Sequence, residues 1–259
     1  MVVTLRKVTE ADLGSDMRRA RVALLAAATI TMLAGPVVTG PVLAGSALAS
    51  VPSNPAWKSS APFGAWNNGG FVVYNNEWNQ PTGPQTIWAD SYHYWGVESN
   101  QAAGNTAVET YPCVQKNYNN PKVLSFHLIR NGFKETMPHA GGLDAEAADD
   151  VWLNNYHIEV MIWVDNHGQT PSGSVIGHAT IFGQHFAVWR GGTDISFVLD
   201  HNETHGVTHI LASIAWLMRH HQVPRSATLT QVNFGWEIAS TNGKPMDFKL
   251  TNYWEHTKR

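Results

Sequence analysis

From Phe71 to Tyr253 the chain is cut into short runs in which apolar and polar residues alternate, separated by Gly, Pro and Asn. Alternation with a period of two sends successive side chains to opposite faces of a strand. Turn residues at these intervals bring the chain back to pair with itself. The runs at 71–78, 85–97, 107–111, 123–129, 150–153, 156–165, 177–182, 185–190, 195–199, 228–238 and 247–253 read as strands. Roughly eleven antiparallel strands bury their edges by folding into two packed sheets. The expected fold is therefore all-β: a two-sheet antiparallel β-jelly-roll sandwich with a concave cleft and one helix. That helix is marked by Val207, Ile210, Leu211, Ile214, Ala215, Leu217 and Met218 at helical spacing, with Pro224 just beyond. It is expected to pack on the outside of one sheet. No internal repeat is present.

The first 49 of the 259 residues follow a different plan. Met17 to Arg21 is basic, Val22 to Leu33 is apolar and uncharged, and Ala47-Leu48-Ala49 has the small-x-small form that signal peptidase accepts. Residues 1–49 read as an N-terminal extension and signal peptide cleaved after Ala49, with Met17 as an alternative start. Residues 50–259 read as one secreted domain. An uncleaved membrane anchor is the competing reading, opposed by Gly35, Pro36, Gly40, Pro41 and Gly45 and by the lack of a following basic flank. Net charge is −3 with no basic cluster, which argues against a nucleic-acid partner. The single cysteine, Cys113, cannot form an intrachain disulfide and reads as buried and inert.

Two runs carry a carboxylate opposite an aliphatic face. In His157-Ile158-Glu159-Val160-Met161-Ile162-Trp163-Val164 the branched aliphatics share one face, and His157, Glu159, Met161 and Trp163 share the other. In Gln231-Val232-Asn233-Phe234-Gly235-Trp236-Glu237-Ile238 the apolar face is Val232, Phe234, Trp236 and Ile238, and Gln231, Asn233 and Glu237 oppose it. Polar groups mixed with Trp and Met suit a sugar-binding cleft, and two facing carboxylates suit glycoside hydrolysis. A two-residue turn at Asn154-Asn155 would set Trp152 against His157 and Asp150 against Glu159. Carboxyls that close titrate as a coupled pair.

At these residues the sequence resembles glycoside hydrolase family 12, small endo-β-1,4-glucanases with a β-jelly-roll fold. Glu159-Val160-Met161-Ile162-Trp163 is similar to the family's nucleophile strand, and Phe234-Gly235-Trp236-Glu237 to its acid/base strand. Asp150-Val151-Trp152-Leu153 resembles the strand whose aspartate supports the nucleophile. Asn75-Asn76-Glu77-Trp78 is similar to a strand lining the glycone subsites, and Pro171-Ser172-Gly173 to the cord crossing one end of the cleft. Trp189-Arg190-Gly191 and residues 207–221 fall where the family has a further strand and its helix. The resemblance runs in order from Phe71 to Tyr253, without the family's disulfides.

The resemblance implies a retaining endo-1,4-β-glucanase with Glu159 as nucleophile, Glu237 as acid/base and Asp150 supporting the nucleophile. Substrate would be bound by Asn76, Trp78, Trp152, Met161, Trp163, Pro171, Gly173, Trp189 and Asn233. The expected partner is a β-glucan polysaccharide or oligosaccharide; the expected state is a monomer, without cofactor or metal and without stable membrane association once processed. A non-catalytic, lectin-like jelly roll is the alternative. His201, His205 and His209 read as a loop and helix start rather than a metal site. Glu77 is expected to be structural or exposed, Asp144, Glu146 and Asp149 to form a solvated loop, and Thr193-Asp194 to form a turn.

Overall fold

Alternation over Leu229–Thr241 puts Val232, Phe234, Trp236 and Ile238 on one side of a thirteen-residue strand, and all four are buried. The computed structural model describes residues 51–259, and this strand runs near the middle of its larger sheet. The export segment expected over residues 1–49 lies outside the described residues. The strands in chain order are β1 (Trp57–Ser59), β2 (Ala65–Asn68), β3 (Phe71–Tyr74), β4 (Gln85–Ser91), β5 (Tyr94–Ser99), β6 (Cys113–Asn117), β7 (Leu128–Thr136), β8 (Leu143–Leu153), β9 (Ile158–His167), β10 (Ser174–Ile181), β11 (Gln184–Gly191), β12 (Asp194–Leu199), β13 (His205–Thr208), β14 (Leu229–Thr241) and β15 (Met246–Lys258). A helix, α1 (Ile210–Arg219), interrupts them. Six strands form one sheet in the order β1-β4-β5-β15-β7-β13, and nine form the other in the order β10-β11-β12-β9-β8-β14-β6-β3-β2. The expected two-sheet jelly roll is present. One detail refines it: β12 pairs with β9 in parallel, whereas the other strand ladders among the described residues are antiparallel.

The larger sheet is wider than the smaller one, and this decides where the helix goes. Val73, Val114, Phe234 and Trp236 of the larger sheet pack with Ile87, Trp95, Val97, Phe248 and Leu250 of the smaller. Trp95 and Trp236 meet edge to face, with ring centroids 5.0 Å apart. Beyond the smaller sheet, Val151, Val160, Ile162, Val188 and Phe197 would face water, and Ile210, Ile214, Trp216 and Leu217 of α1 cover them. The helix therefore continues the smaller sheet's layer and does not sit outside the sandwich, as its apolar stripe requires. It also starts later than its periodicity suggests, because Val207 belongs to β13.

Several strand assignments change. The run 85–97 is a hairpin, β4–β5, and 107–111 carries only an isolated bridge from Thr110 to Ile238. The turn between β8 and β9 spans residues 154–157, because Asn154, Asn155 and Tyr156 all have positive φ (53°, 56° and 65°). Asn accepts this conformation readily. The longer turn moves the register by two: Trp152 faces Glu159, and Asp150 faces Met161. A shift of two preserves sidedness, so Asp150 and Glu159 still share a face, one diagonal step apart.

Among the described residues no helix is long and apolar enough to cross a membrane. One polar clasp joins the two sheets inside the core. The carboxyls of Glu135 on β7 and Asp165 on β9 lie against each other, and the Trp236 indole N–H donates to Glu135 Oε2 at 3.1 Å. Burial raises Glu135 to about 8 and raises Asp165 as well.

Candidate functional site

The outward face of the nine-stranded sheet holds the residues singled out from sequence. On β14 the outward series is Gln231, Asn233, Gly235 and Glu237. Opposite these on β8 stand Trp152, Asp150, Ala148 and Glu146, and on β9 follow Glu159, Met161, Trp163 and Asn166. The ladder continues to Ser196 and Trp189 beside Met161, and to Gln115 and Cys113 beside Asn233 and Gly235. Despite facing away from the inter-sheet core, Glu159, Asp150 and Glu237 are only 4%, 5% and 6% exposed. The face is recessed, and no acid of the expected set lies in the hydrophobic layer.

Glu159 begins the long run of β9, where its N–H donates to the Thr193 carbonyl. Trp152 is beside it on β8 and Asp194 on β12. Asp194, expected in a turn, instead opens a strand beside Glu159. The Trp152 indole N–H donates to Asp150 Oδ2 at 2.8 Å. Tyr111 lies between the two halves of this array, fully buried, with its hydroxyl donating to the Ala148 carbonyl at 3.0 Å. Burial pushes the Tyr111 phenol well up, and nearby negative charge, Asp150 first, pushes it further. Burial and Asp150 likewise raise the Cys113 thiol, which is buried as expected. By register Glu237 lies six residues along β14 from Gln231, which stands level with Trp152 and Glu159, about 20 Å along the strand.

Met161, Trp163 and Ala148 form a small apolar cluster, with the Trp163 indole N–H on the Met161 sulfur at 3.5 Å. Both long side chains are buried, so they make the floor of the recess. Asn233 donates to Gln231 Oε1 at 3.0 Å and is held by its neighbour. Asn76 and Trp78 continue the outward series from Tyr74 beyond the end of β3, and both are half-buried. Glu77, on the other parity, is buried and accepts from Asn75 and Thr82; burial raises it and those hydrogen bonds oppose the rise. Its expected structural role is met. Pro171 is buried, and Gly173 (φ +83°) presses on the Arg190 carbonyl, where a Cβ would clash. The segment thus lies against the end of β11 next to Trp189.

The solvated acidic loop expected near Asp144 is β8 itself. Glu146 and Asp149 are fully buried, Glu146 beside Glu237 and Asp149 on the core side. Burial lifts Asp149 to about 7 against hydrogen bonds from Thr208 and Asn131. Glu146, Asp194, Tyr74 and Gln115 are the face residues that sequence reasoning missed. Strand parity alone finds them once β6, β8 and β12 are correctly bounded. The histidines diverge: His201 contacts Asp200 at 2.6 Å and Glu203 at 3.2 Å, while His209 stacks on Phe182 with centroids 3.8 Å apart.

The two-sheet order and the one α-helix among the described residues match the jelly-roll fold of the family 12 glycoside hydrolases. The xyloglucanase domain of NopAA, a type three effector from Sinorhizobium fredii, superposes with a TM-score of 0.72 at 23% identity, covering 79% of this chain and 100% of that domain. The native family 12 xyloglucanase from Bacillus licheniformis superposes at 0.70 with 19% identity, covering 78% and 100%. A curated protein of Phytophthora nicotianae named "Inactive glycoside hydrolase XLP1" is 25% identical over 197 residues, 68% of this chain and 83% of that protein. No protein-family model matches the chain.

Proposed function

We propose that the protein is a secreted retaining endo-β-1,4-glucanase in which Glu159 is the nucleophile, Glu237 the acid/base and Asp150 the support of the nucleophile. The observation behind this reading is that Asp150, Glu159 and Glu237 share one face of the nine-stranded sheet and are all buried. Glu237 protonates the leaving glycosidic oxygen as Glu159 attacks the anomeric carbon. The glycosyl-enzyme is then hydrolysed by water that Glu237 deprotonates. This route requires carboxyls about 5–5.5 Å apart, and a wider gap of about 6.5–9.5 Å would give inversion. Trp78 and Trp189 supply half-exposed rings for sugar stacking, Asn76 and Asn233 supply polar contacts, and Pro171 and Gly173 bound one end. We further propose that residues 1–49 direct export and are removed, which N-terminal sequencing of exported protein checks.

Glu159→Gln and Glu237→Gln each abolish reducing-sugar release from soluble β-glucan, a loss beyond about 10²–10⁴-fold for the acid/base, with unchanged circular dichroism. Either variant keeping most of its activity refutes the assignment. Proton NMR of the first-formed anomer tests retention, and a panel of β-glucans identifies the backbone cleaved. The relative named inactive supports a second reading, a glucan-binding protein without turnover. That reading predicts glucan affinity with no sugar release by the unmodified chain.

A further inference from the structure

We infer that Trp152 is a positioning residue whose indole N–H orients the Asp150 carboxyl toward Glu159, and not a stacking platform for sugar. The inference deepens the proposed function and rests on it for its kinetic part.

Trp152 is directly across the β8–β9 ladder from Glu159, and Asp150 is two residues back on the same face of β8. Same-face neighbours two residues apart are about 6.8 Å distant along a strand. The indole bends back over that interval to place its N–H 2.8 Å from Asp150 Oδ2. A ring committed in this way has its only donor used, and its other side meets Tyr156 with centroids 5.9 Å apart. Asp150 is buried, so an N–H held on one of its oxygens determines which oxygen is presented across the diagonal to Glu159.

The groups facing Asp150 come from every neighbouring element. They are Glu159 on β9, Asp194 on β12, Tyr156 in the turn, Cys113 on β6, Tyr111 before β6, and Glu146 and Glu237 farther along the face. Four of these groups are carboxyls, and Trp152 contributes a neutral donor among them. Its N–H favours the ionised form of the Asp150–Glu159 pair.

Trp152→Phe keeps an aromatic ring and deletes the N–H; Trp152→Tyr is the second variant should the first not fold. With soluble β-glucan, kcat falls ten- to hundredfold, as is usual when an orienting contact is lost, while KM changes less than about twofold. The acidic limb of the kcat/KM profile moves to higher pH. A raised KM with kcat unchanged makes Trp152 a sugar platform and overturns the inference. Carboxyl carbon NMR gives a readout without turnover: the Asp150 titration midpoint moves up in Trp152→Phe. A wild-type protein that releases no sugar sinks the proposed function and leaves this NMR comparison standing. An Asp150 midpoint equal in both proteins overturns the positioning role.

Discussion

Replacing Glu135 by glutamine should open a stability gap between the two proteins as pH rises from mild acid to mild base. Glu135 sits between the sheets with Asp165 against its carboxyl, the Trp236 N–H on Oε2, and His139 and His167 at the mouth of the pocket. Its pKa rises from an ordinary 4.5 to about 8, chiefly through burial. A carboxyl raised on folding binds its proton more tightly in the folded chain than in the unfolded one. Its contribution is therefore complete below about pH 4.5 and is lost progressively as pH climbs through about 8. At about 1.36 kcal/mol per pH unit the displacement amounts to about 5 kcal/mol, a large share of a domain's usual 5–15 kcal/mol. Glutamine cannot ionise, keeps an oxygen for Trp236, and offers an N–H to Asp165. At pH 5 the two proteins unfold at similar urea concentrations; at pH 8 Glu135→Gln is the more stable by up to about 5 kcal/mol. Asp149, raised to about 7, and the other buried acids tilt both curves alike. Parallel stability curves from pH 5 to 8, followed by tryptophan fluorescence in urea, would refute the protonated clasp.

Two further perturbations test packing around the face. Trp216→Ala removes the ring that meets Phe197 edge-on at 5.8 Å, and it should cost about 3–5 kcal/mol in urea unfolding; a loss under 1 kcal/mol would mean α1 does not seal the sheet. Gly235→Ala drives a Cβ into the Pro112 carbonyl and Cys113, and it should cost about 1–3 kcal/mol while lowering activity, because Gly235 lies between Asn233 and Glu237. Unchanged stability there would show that β6 and β14 can separate freely.

Strand parity is a robust signal, which is why the acids could be assigned to a face before their partners were known. Glu159 and Glu237 each fall on the polar beat of an alternating run, and Val160, Ile162, Phe234 and Trp236 leave no choice about which side is core. Register is weaker information. Three successive residues at positive φ are not encoded by Asn-Asn alone, since Tyr156 enters that region only under the constraint of the finished hairpin. Of Leu143–Leu153 only residues 150–153 read as strand from sequence, because the Ala, Asp and Glu residues before them disfavour extended structure in isolation and are held there by ladders on both sides. Glu146 and Asp149 disappeared with them. Asp194 was hidden by the neighbouring Gly191-Gly192-Thr193, whose turn chemistry ends one residue earlier than it reads.

The helix has a consequence for evolution of the recess. One flank of the nine-stranded sheet packs on the strands of the smaller sheet, whereas β10, β11 and β12 lean on the ten residues of α1. A helix satisfies its own backbone, so its packing side chains can be exchanged without disturbing a ladder. Substitutions at Ile214, Trp216 or Leu217 thus offer a route to reshape the Trp189 end for a bulkier or slimmer polymer while leaving every acidic group in place.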